Sequence, residues 1–390
     1  SCVEAAMEMP FKEGLAFERS RFMACVKSEQ SAALRHIFFA ERQAPKVPGI
    51  DKSATPRAVQ RVGIIGAGTM GGGIAMSFAS AGIPVTLLEI SEDGLDRGLA
   101  LIGKNYGMSV SKGKLSEAEA TEREALISGT TSYQELANVD LVIEAVFESM
   151  AVKKQVFGRL DEVWRRGTIL ATNTSYLDVN EIAASTSRPR DVVGLHFFSP
   201  ANLMRLLEVV RAENTADDVI ATAMALGKRI GKVPVLAGVC FGFIGNRMLR
   251  QYAREAQLCL IEGAEPAQID GVLTGFGMAM GPLAVGDLAG LDIGYKARQA
   301  LTDEQKGDPK SYCIADALVE LGRLGQKTGA GYYAYDPETR ARSADPVVLE
   351  VIRAQAEKHG VRRCSLSDEK ILNRHLMALI NEGFRLLEEG

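Results

Sequence analysis

An α/β domain followed by an all-α domain is the fold class that three features of the sequence predict. Six short apolar runs recur between Arg61 and about Pro234: VGIIGAG, IPVTLLEI, DLVIEAV, TILATNTS, VVGLHFF and LLEVV. Helical segments separate several of them, and that alternation builds a sheet with helices on its faces. The first run passes straight into glycine-rich sequence and then a helix. After Gly238 the strand pattern stops, and apolar residues return at helical spacing over 246–260 and 283–300.

Composition narrows the function class. The 390 residues are 46% apolar and 24% charged, with net charge −4, so no basic excess points to nucleic acid or an anionic membrane surface. The six cysteines show no C-x-x-C spacing and are expected as free thiols in a reducing compartment. No metal site is expected. Residues 62–88 carry no charge and are long enough to span a bilayer, but they hold seven glycines and Pro84. A turn followed by a close-packed helix explains those glycines, so no membrane span is expected. Glu4 and Glu8 stand where a secretory signal needs an apolar core, so none is expected.

The ends of the chain have their own patterns. Residues 1–42 interleave charges such as Glu13, Glu18 and Arg21 with Leu15, Phe17 and Phe22 at helical spacing. Pro45, Pro48 and Pro56 break that pattern, so 43–60 is expected to be a linker. A repeat appears late. Asn246 is followed at offsets 9, 14, 16 and 17 by Glu255, Leu260, Glu262 and Gly263, and Asn373 at the same offsets by Glu382, Leu387, Glu389 and Gly390. A duplicated helical module is expected, its second copy ending at Gly390.

The glycine-rich turn carries the first chemistry. Gly66, Gly68 and Gly71 form G-x-G-x-x-G between a strand and a helix, and Glu89 ends the next strand 23 residues after Gly66. Gly66 makes the turn, Gly68 admits a pyrophosphate to the backbone, and Gly71 lets the helix pack on the sheet. The helix N-terminus, with Thr69 and Met70, offers free N–H groups to the phosphate charge. Glu89 would accept hydrogen bonds from ribose hydroxyls and repel a 2′-phosphate. This is the pattern of a Rossmann-type dinucleotide-binding domain, and it favours NAD over NADP.

The second chemistry lies in LHFFSPANLMRLLEVV. Oxidising an alcohol with NAD requires a base for the hydroxyl proton. Histidine suits that task because its ordinary pKa lies near neutrality. His196 ends one apolar run, and Glu208 lies inside the next, where an unpaired charge would be costly. If the two strands are neighbours, Glu208 fixes the imidazole tautomer and stabilises the imidazolium. TILATNTS ends in Asn173, Thr174 and Ser175 at the sheet edge that faces a ligand crevice, where Ser175 could bond a substrate oxygen. Asn246 opens the helical domain in GFIGNRM and could equally cap a helix.

The motifs GAGTMG, EAVFE, ATNTS, GLHFFSP, EVV, GFIGNR and GQKTGAGYY, between about Arg61 and Tyr335, together resemble the L-3-hydroxyacyl-CoA dehydrogenases. The resemblance implies His196 and Glu208 as the catalytic pair, with Ser175 and Asn246 on the substrate oxygen. It implies Glu148 and Lys153, beside Asn173, in the cofactor pocket, and Lys112 near coenzyme A. FKEGLAFERSRFMACVKSEQSAALRHIFFAER resembles the linker helix of multifunctional β-oxidation enzymes, where an enoyl-CoA hydratase module precedes the dehydrogenase.

The implied organisation is a helical remnant over 1–42, a linker over 43–60, an NAD-binding domain over 61–236, a helical domain over 237–336, and over 337–390 a linker with the start of a second, truncated C-terminal copy. The implied activity is NAD-dependent oxidation of (S)-3-hydroxyacyl-CoA to 3-ketoacyl-CoA, with a hydratase module and a second C-terminal domain as intramolecular partners in a longer parent. Another hydroxyacid dehydrogenase and a non-catalytic NAD-binding protein on the same fold are the alternatives. Wording rich in alanine and arginine leans towards a bacterial cytoplasm, with the peroxisome as the alternative.

Overall fold

The computed structural model describes residues 1–51, 53–299 and 301–389 and divides the chain into two units, Ser1–Phe243 and Ile244–Gly390. Lys52 of the expected linker, Ala300 at the end of the second helical run and Gly390 of the repeat lie outside the described residues.

In the first unit, β1 (Val62–Ile65), β2 (Val85–Leu88), β3 (Ile127–Thr130), β4 (Leu141–Glu144), β5 (Ile169–Thr172), β6 (Val192–Phe197), β7 (Leu206–Val210) and β8 (Val233–Ala237) form one sheet, in the order β3-β2-β1-β4-β5-β6-β7-β8. Neighbours run parallel except β6 and β7, which are antiparallel. β1, β4, β5 and β6 are buried along their whole length, because helices cover both faces. That burial is why their sequences are continuous apolar runs rather than alternating ones.

The six expected strands are all present, and β3 and β8 are additional. Those two are the edges of the sheet. β3 exposes Ser128 and Gly129, so it lacks an apolar run. β8 contains Pro234, which an edge strand tolerates because one side of its ladder is unpaired.

Three helices precede the sheet: α1 (Cys2–Glu8), α2 (Phe11–Lys27) and α3 (Glu29–Gln43). Their apolar side chains are largely exposed, Phe11, Phe22, Leu34 and Phe39 among them. The segment that follows is fastened to the sheet domain rather than hanging free of it. Arg57 pairs with Asp218 and Asp191, at 2.8 Å each, and its N–H donates to Thr222. The N–H groups of Gln60 and Arg61 donate to Asp140. Helices α4 (Thr69–Ser80), α5 (Glu92–Ser111), α6 (Glu117–Ala125), α7 (Met150–Val163), α8 (Val179–Ala183) and α9 (Asp217–Arg229) complete the unit.

The second unit is helical: α10 (Gly245–Glu262), α11 (Pro266–Phe276), α12 (Pro282–Ala289), α13 (Leu291–Gln299), α14 (Asp303–Lys306), α15 (Cys313–Glu320), α16 (Pro346–Lys358) and α17 (Asp368–Glu389). The apolar stretch from Leu283 is split at Gly290, whose φ of +100° ends α12. Two buried carboxylates organise this unit. Asp270 accepts from the N–H groups of Leu283 and Ala284, capping α12. Asp287 accepts from the N–H groups of Tyr332 and Tyr333 and from the Tyr335 hydroxyl, and burial raises its pKa to about 6. A Cβ at Gly331 would lie 1.9 Å from Asp287 Oδ1, which accounts for the last of the three glycines in GQKTGAGYY.

The repeat becomes a pair of antiparallel helices. Arg247 on α10 binds Glu382 and Glu389 on α17, at 2.5 Å each. Arg374 on α17 binds Glu255 and Glu262 on α10, at 2.8 and 2.6 Å. Equivalent residues thus contact each other's counterparts, giving the pair a local pseudo-two-fold.

Candidate active site

His196 and Glu208 are directly opposite in the antiparallel β6–β7 register. The Nδ1 of His196 lies 2.6 Å from Glu208 Oε2, with the side chains 4% and 1% exposed. Burial at that level removes competing water, so the carboxylate needs the imidazole as much as the imidazole needs it. The rings of Phe198 and Phe243 lie 4.5 and 5.6 Å from the imidazole, centroid to centroid, leaving Nε2 as the ring nitrogen for chemistry.

Asn173, just beyond the end of β5, turns its Oδ1 towards the Phe197 N–H next to His196, at 2.9 Å. Ser175 follows in a turn gripped by Glu148. One oxygen of that carboxylate, Oε1, accepts from the Thr174 hydroxyl at 2.6 Å and from the N–H groups of Ser175 and Tyr176 at 2.8 and 3.1 Å. Its other oxygen lies 3.3 Å from the Lys153 ammonium. Lys153 is 1% exposed and also bonds Glu144 Oε1 and Oε2, at 2.8 and 3.0 Å. Sequence reasoning passed over Glu144, although its signal is that of Glu208: a carboxylate inside an apolar run.

The cofactor turn lies at the switch point, where β1 sits between β2 and β4. Ligands of open α/β sheets bind at such a crevice. Gly66 has φ +100°, and a Cβ there would lie 2.7 Å from the Ala145 carbonyl oxygen. A Cβ at Gly71 would lie 1.8 Å from the Gly66 oxygen, whereas one at Gly68 meets nothing within 4 Å. The turn is therefore closed beneath and open at Gly68. Gly68 also caps α4 without a side-chain hydrogen bond, so the cap itself leaves the first-turn N–H groups around Thr69 and Met70 to a ligand. Glu89 accepts from the N–H groups of Ala67 and Ile90, at 2.9 and 2.8 Å, which orients its carboxylate beside the turn. These features fit a dinucleotide.

The structure brings His196, Glu208 and Asn173 together, and separately Glu148, Lys153 and the Ser175 turn. Asn246 is the second residue of α10, in the second unit. Lys112 is exposed at the C-terminal cap of α5. No helix among the described residues is long and apolar enough to cross a membrane.

Comparison with known proteins supplies the family. Residues 61–240 match the 3-hydroxyacyl-CoA dehydrogenase NAD binding domain, and residues 242–335 match the C-terminal domain of the same family. The chain is 44% identical over 404 aligned positions to the peroxisomal bifunctional enzyme of Homo sapiens, using 100% of this chain and 56% of that protein. It therefore spans about half the length of such curated relatives. Among solved structures it is similar to (S)-3-hydroxybutyryl-CoA dehydrogenase PaaH1 from Ralstonia eutropha, with 37% identity, TM-score 0.66, and 72% of this chain and 100% of that one covered. It is also similar to the dehydrogenase part of multifunctional enzyme 1 from C. elegans, with 34% identity, TM-score 0.66, and 88% and 78% covered. With both family domains matched in order around the geometry described above, the chain belongs to the 3-hydroxyacyl-CoA dehydrogenase family.

Proposed function

We propose that this chain interconverts (S)-3-hydroxyacyl-CoA and 3-ketoacyl-CoA with NAD as cofactor. The carrying observation is the buried His196–Glu208 pair, 2.6 Å apart at the end of β6. In the oxidising direction, His196 Nε2 takes the proton of the C3 hydroxyl. Glu208 holds Nδ1–H, keeps Nε2 free to accept, and stabilises the positive ring that results. The Ser175 hydroxyl holds the C3 oxygen as it becomes a carbonyl, and the family resemblance alone assigns the Asn246 amide to the same oxygen. Bound at the Gly66–Gly71 turn, the nicotinamide cofactor supplies the hydride acceptor. Glu89 selects NAD over NADP, because a carboxylate repels the 2′-phosphate at the position where the ribose hydroxyls bind.

The same reading extends to a longer parent, with a hydratase module before α2 and α3 and a completed second C-terminal copy after α17. The bifunctional names of the relatives and the exposed apolar side chains of α2 and α3 support the first. The reciprocal α10–α17 pairing supports the second. The domain limits given above are proposed on the same basis. The peroxisomal names of the relatives favour the peroxisome over a bacterial cytoplasm.

The test is loss of NADH absorbance on adding acetoacetyl-CoA, with His196→Gln measured alongside. Turnover that collapses in the variant while NADH still binds is the expected result. Turnover that survives in the variant would remove His196 from the proton step. Turnover with NADPH as fast as with NADH would overturn the role given to Glu89.

A further inference from the structure

We propose that Glu144 is a positioning residue for Ser175, acting through Lys153 and Glu148; the inference rests on the dehydrogenase reading above. Lys153 occupies the first turn of α7, where a positive charge opposes the helix dipole. It is 1% exposed, so its ammonium stays there only because carboxylates compensate it. Glu144, at 0% exposure, takes two of its contacts, and Glu148 takes the longer third at 3.3 Å.

Glu144 is itself fixed on two further sides. Its Oε1 accepts from the Val146 N–H at 2.8 Å, and its Oε2 from the Thr172 hydroxyl at 2.7 Å. Thr172 ends β5, two residues before the turn that Glu148 grips. Glu148 is different, with its side chain 36% exposed and able to turn towards water. What keeps its inner oxygen on the Ser175 turn is the ammonium behind its outer one. What keeps the ammonium from moving fully onto Glu148 is the buried charge of Glu144. The chain of contacts runs from a rigid strand end, through a buried cation, to the peptide that carries the Ser175 hydroxyl.

A merely structural ion pair would affect stability and leave Ser175 alone. A double-substitution cycle separates the two. Glu144→Gln keeps volume and removes the charge. With Ser175 in place it should lower kcat with acetoacetyl-CoA on the order of tenfold to a hundredfold, the scale of an ångström-sized misplacement. In a Ser175→Ala background the same change should cost less than about threefold, because the group it positions is gone. NADH affinity, measured by fluorescence titration, should shift by the same factor in both backgrounds, because Lys153 and Glu148 respond to Glu144 whether or not the Ser175 hydroxyl is present.

Amide exchange in the cofactor-free protein gives a readout that does not depend on turnover. Peptides covering 173–177 should exchange faster in Glu144→Gln, while β1 and β6 exchange as in the parent chain. Thr172→Val, which removes only one hydroxyl contact to Glu144, should show the same pattern more weakly and covers the case in which Glu144→Gln does not fold. Additive losses in the cycle with unchanged exchange at 173–177 would overturn the proposal. A parent chain that turns nothing over would sink the dehydrogenase reading, and the exchange measurement would still decide the clamp.

Discussion

Replacing Glu208 by glutamine isolates one charge at the centre of the site. The side chain is 1% exposed and its Oε2 lies 2.6 Å from His196 Nδ1. Glutamine matches its volume and can still accept the Nδ1–H bond, so packing and tautomer are preserved. What disappears is the negative charge facing the imidazolium that forms as the proton arrives. Two unit charges whose centres lie about 4 Å apart interact by about 4 kcal/mol at an effective dielectric near 20. The neutral hydrogen bond that remains returns about 1 kcal/mol. A net loss of about 3 kcal/mol corresponds to about a hundredfold fall in kcat, at 1.36 kcal/mol per factor of ten.

Steady-state oxidation of 3-hydroxybutyryl-CoA measures that fall. NADH titration and thermal unfolding should show an unchanged cofactor site and a folded chain. A folded Glu208→Gln protein with kcat within about threefold of the parent would refute the charge argument and leave Glu208 as a steric prop for the ring.

Other expectations follow from the same geometry. Gly71→Ala places a Cβ 1.8 Å from the Gly66 oxygen, so NADH affinity should drop by about tenfold or more in fluorescence titration, and unchanged affinity would contradict the turn as described. Glu382→Leu removes the buried carboxylate that accepts from Arg247 and leaves the Glu389 contact in place; losing that charge-assisted hydrogen bond costs about 2 kcal/mol and should lower the urea midpoint of the second unit. His375 is fully buried, with Nδ1 on the Ile371 carbonyl, and burial lowers its pKa below that in the unfolded chain. Its contribution is present above the unfolded value of about 6.5 and is lost as pH falls through the lowered folded value, because the unfolded chain takes the proton first. Thermal unfolding at mildly acidic and neutral pH should therefore show a smaller acid loss for His375→Phe than for the parent chain.

The parts of this molecule that were legible in sequence are those where burial leaves a mark on residue type. The inner strands announced themselves as continuous apolar runs, and Glu208 stood out because a charge interrupted one of them. The edge strands β3 and β8 left no such mark, since solvent on one side permits Ser128, Gly129 and Pro234. The reversal of direction at β7 was also invisible, because side-chain alternation is the same in both directions, yet it sets the register that opposes His196 and Glu208. The clamp on Ser175 joins residues 27 positions apart through a lysine and two glutamates. No local pattern encodes such a contact. The repeat was visible as offsets, while the exchange of partners between its two helices appeared only in three dimensions.

That exchange has a consequence for assembly. α10 and α17 carry the same code, an arginine followed eight and fifteen residues later by glutamates, so each helix is chemically able to bind a copy of itself on another molecule. The ion pairs do not discriminate the self-pair from the mixed one. What discriminates is the tether: within one chain the two helices meet at an effective concentration on the order of millimolar, far above ordinary protein concentrations. Deleting α17 would strip α10 of that local competitor and turn an internal seam into an adhesive face between molecules.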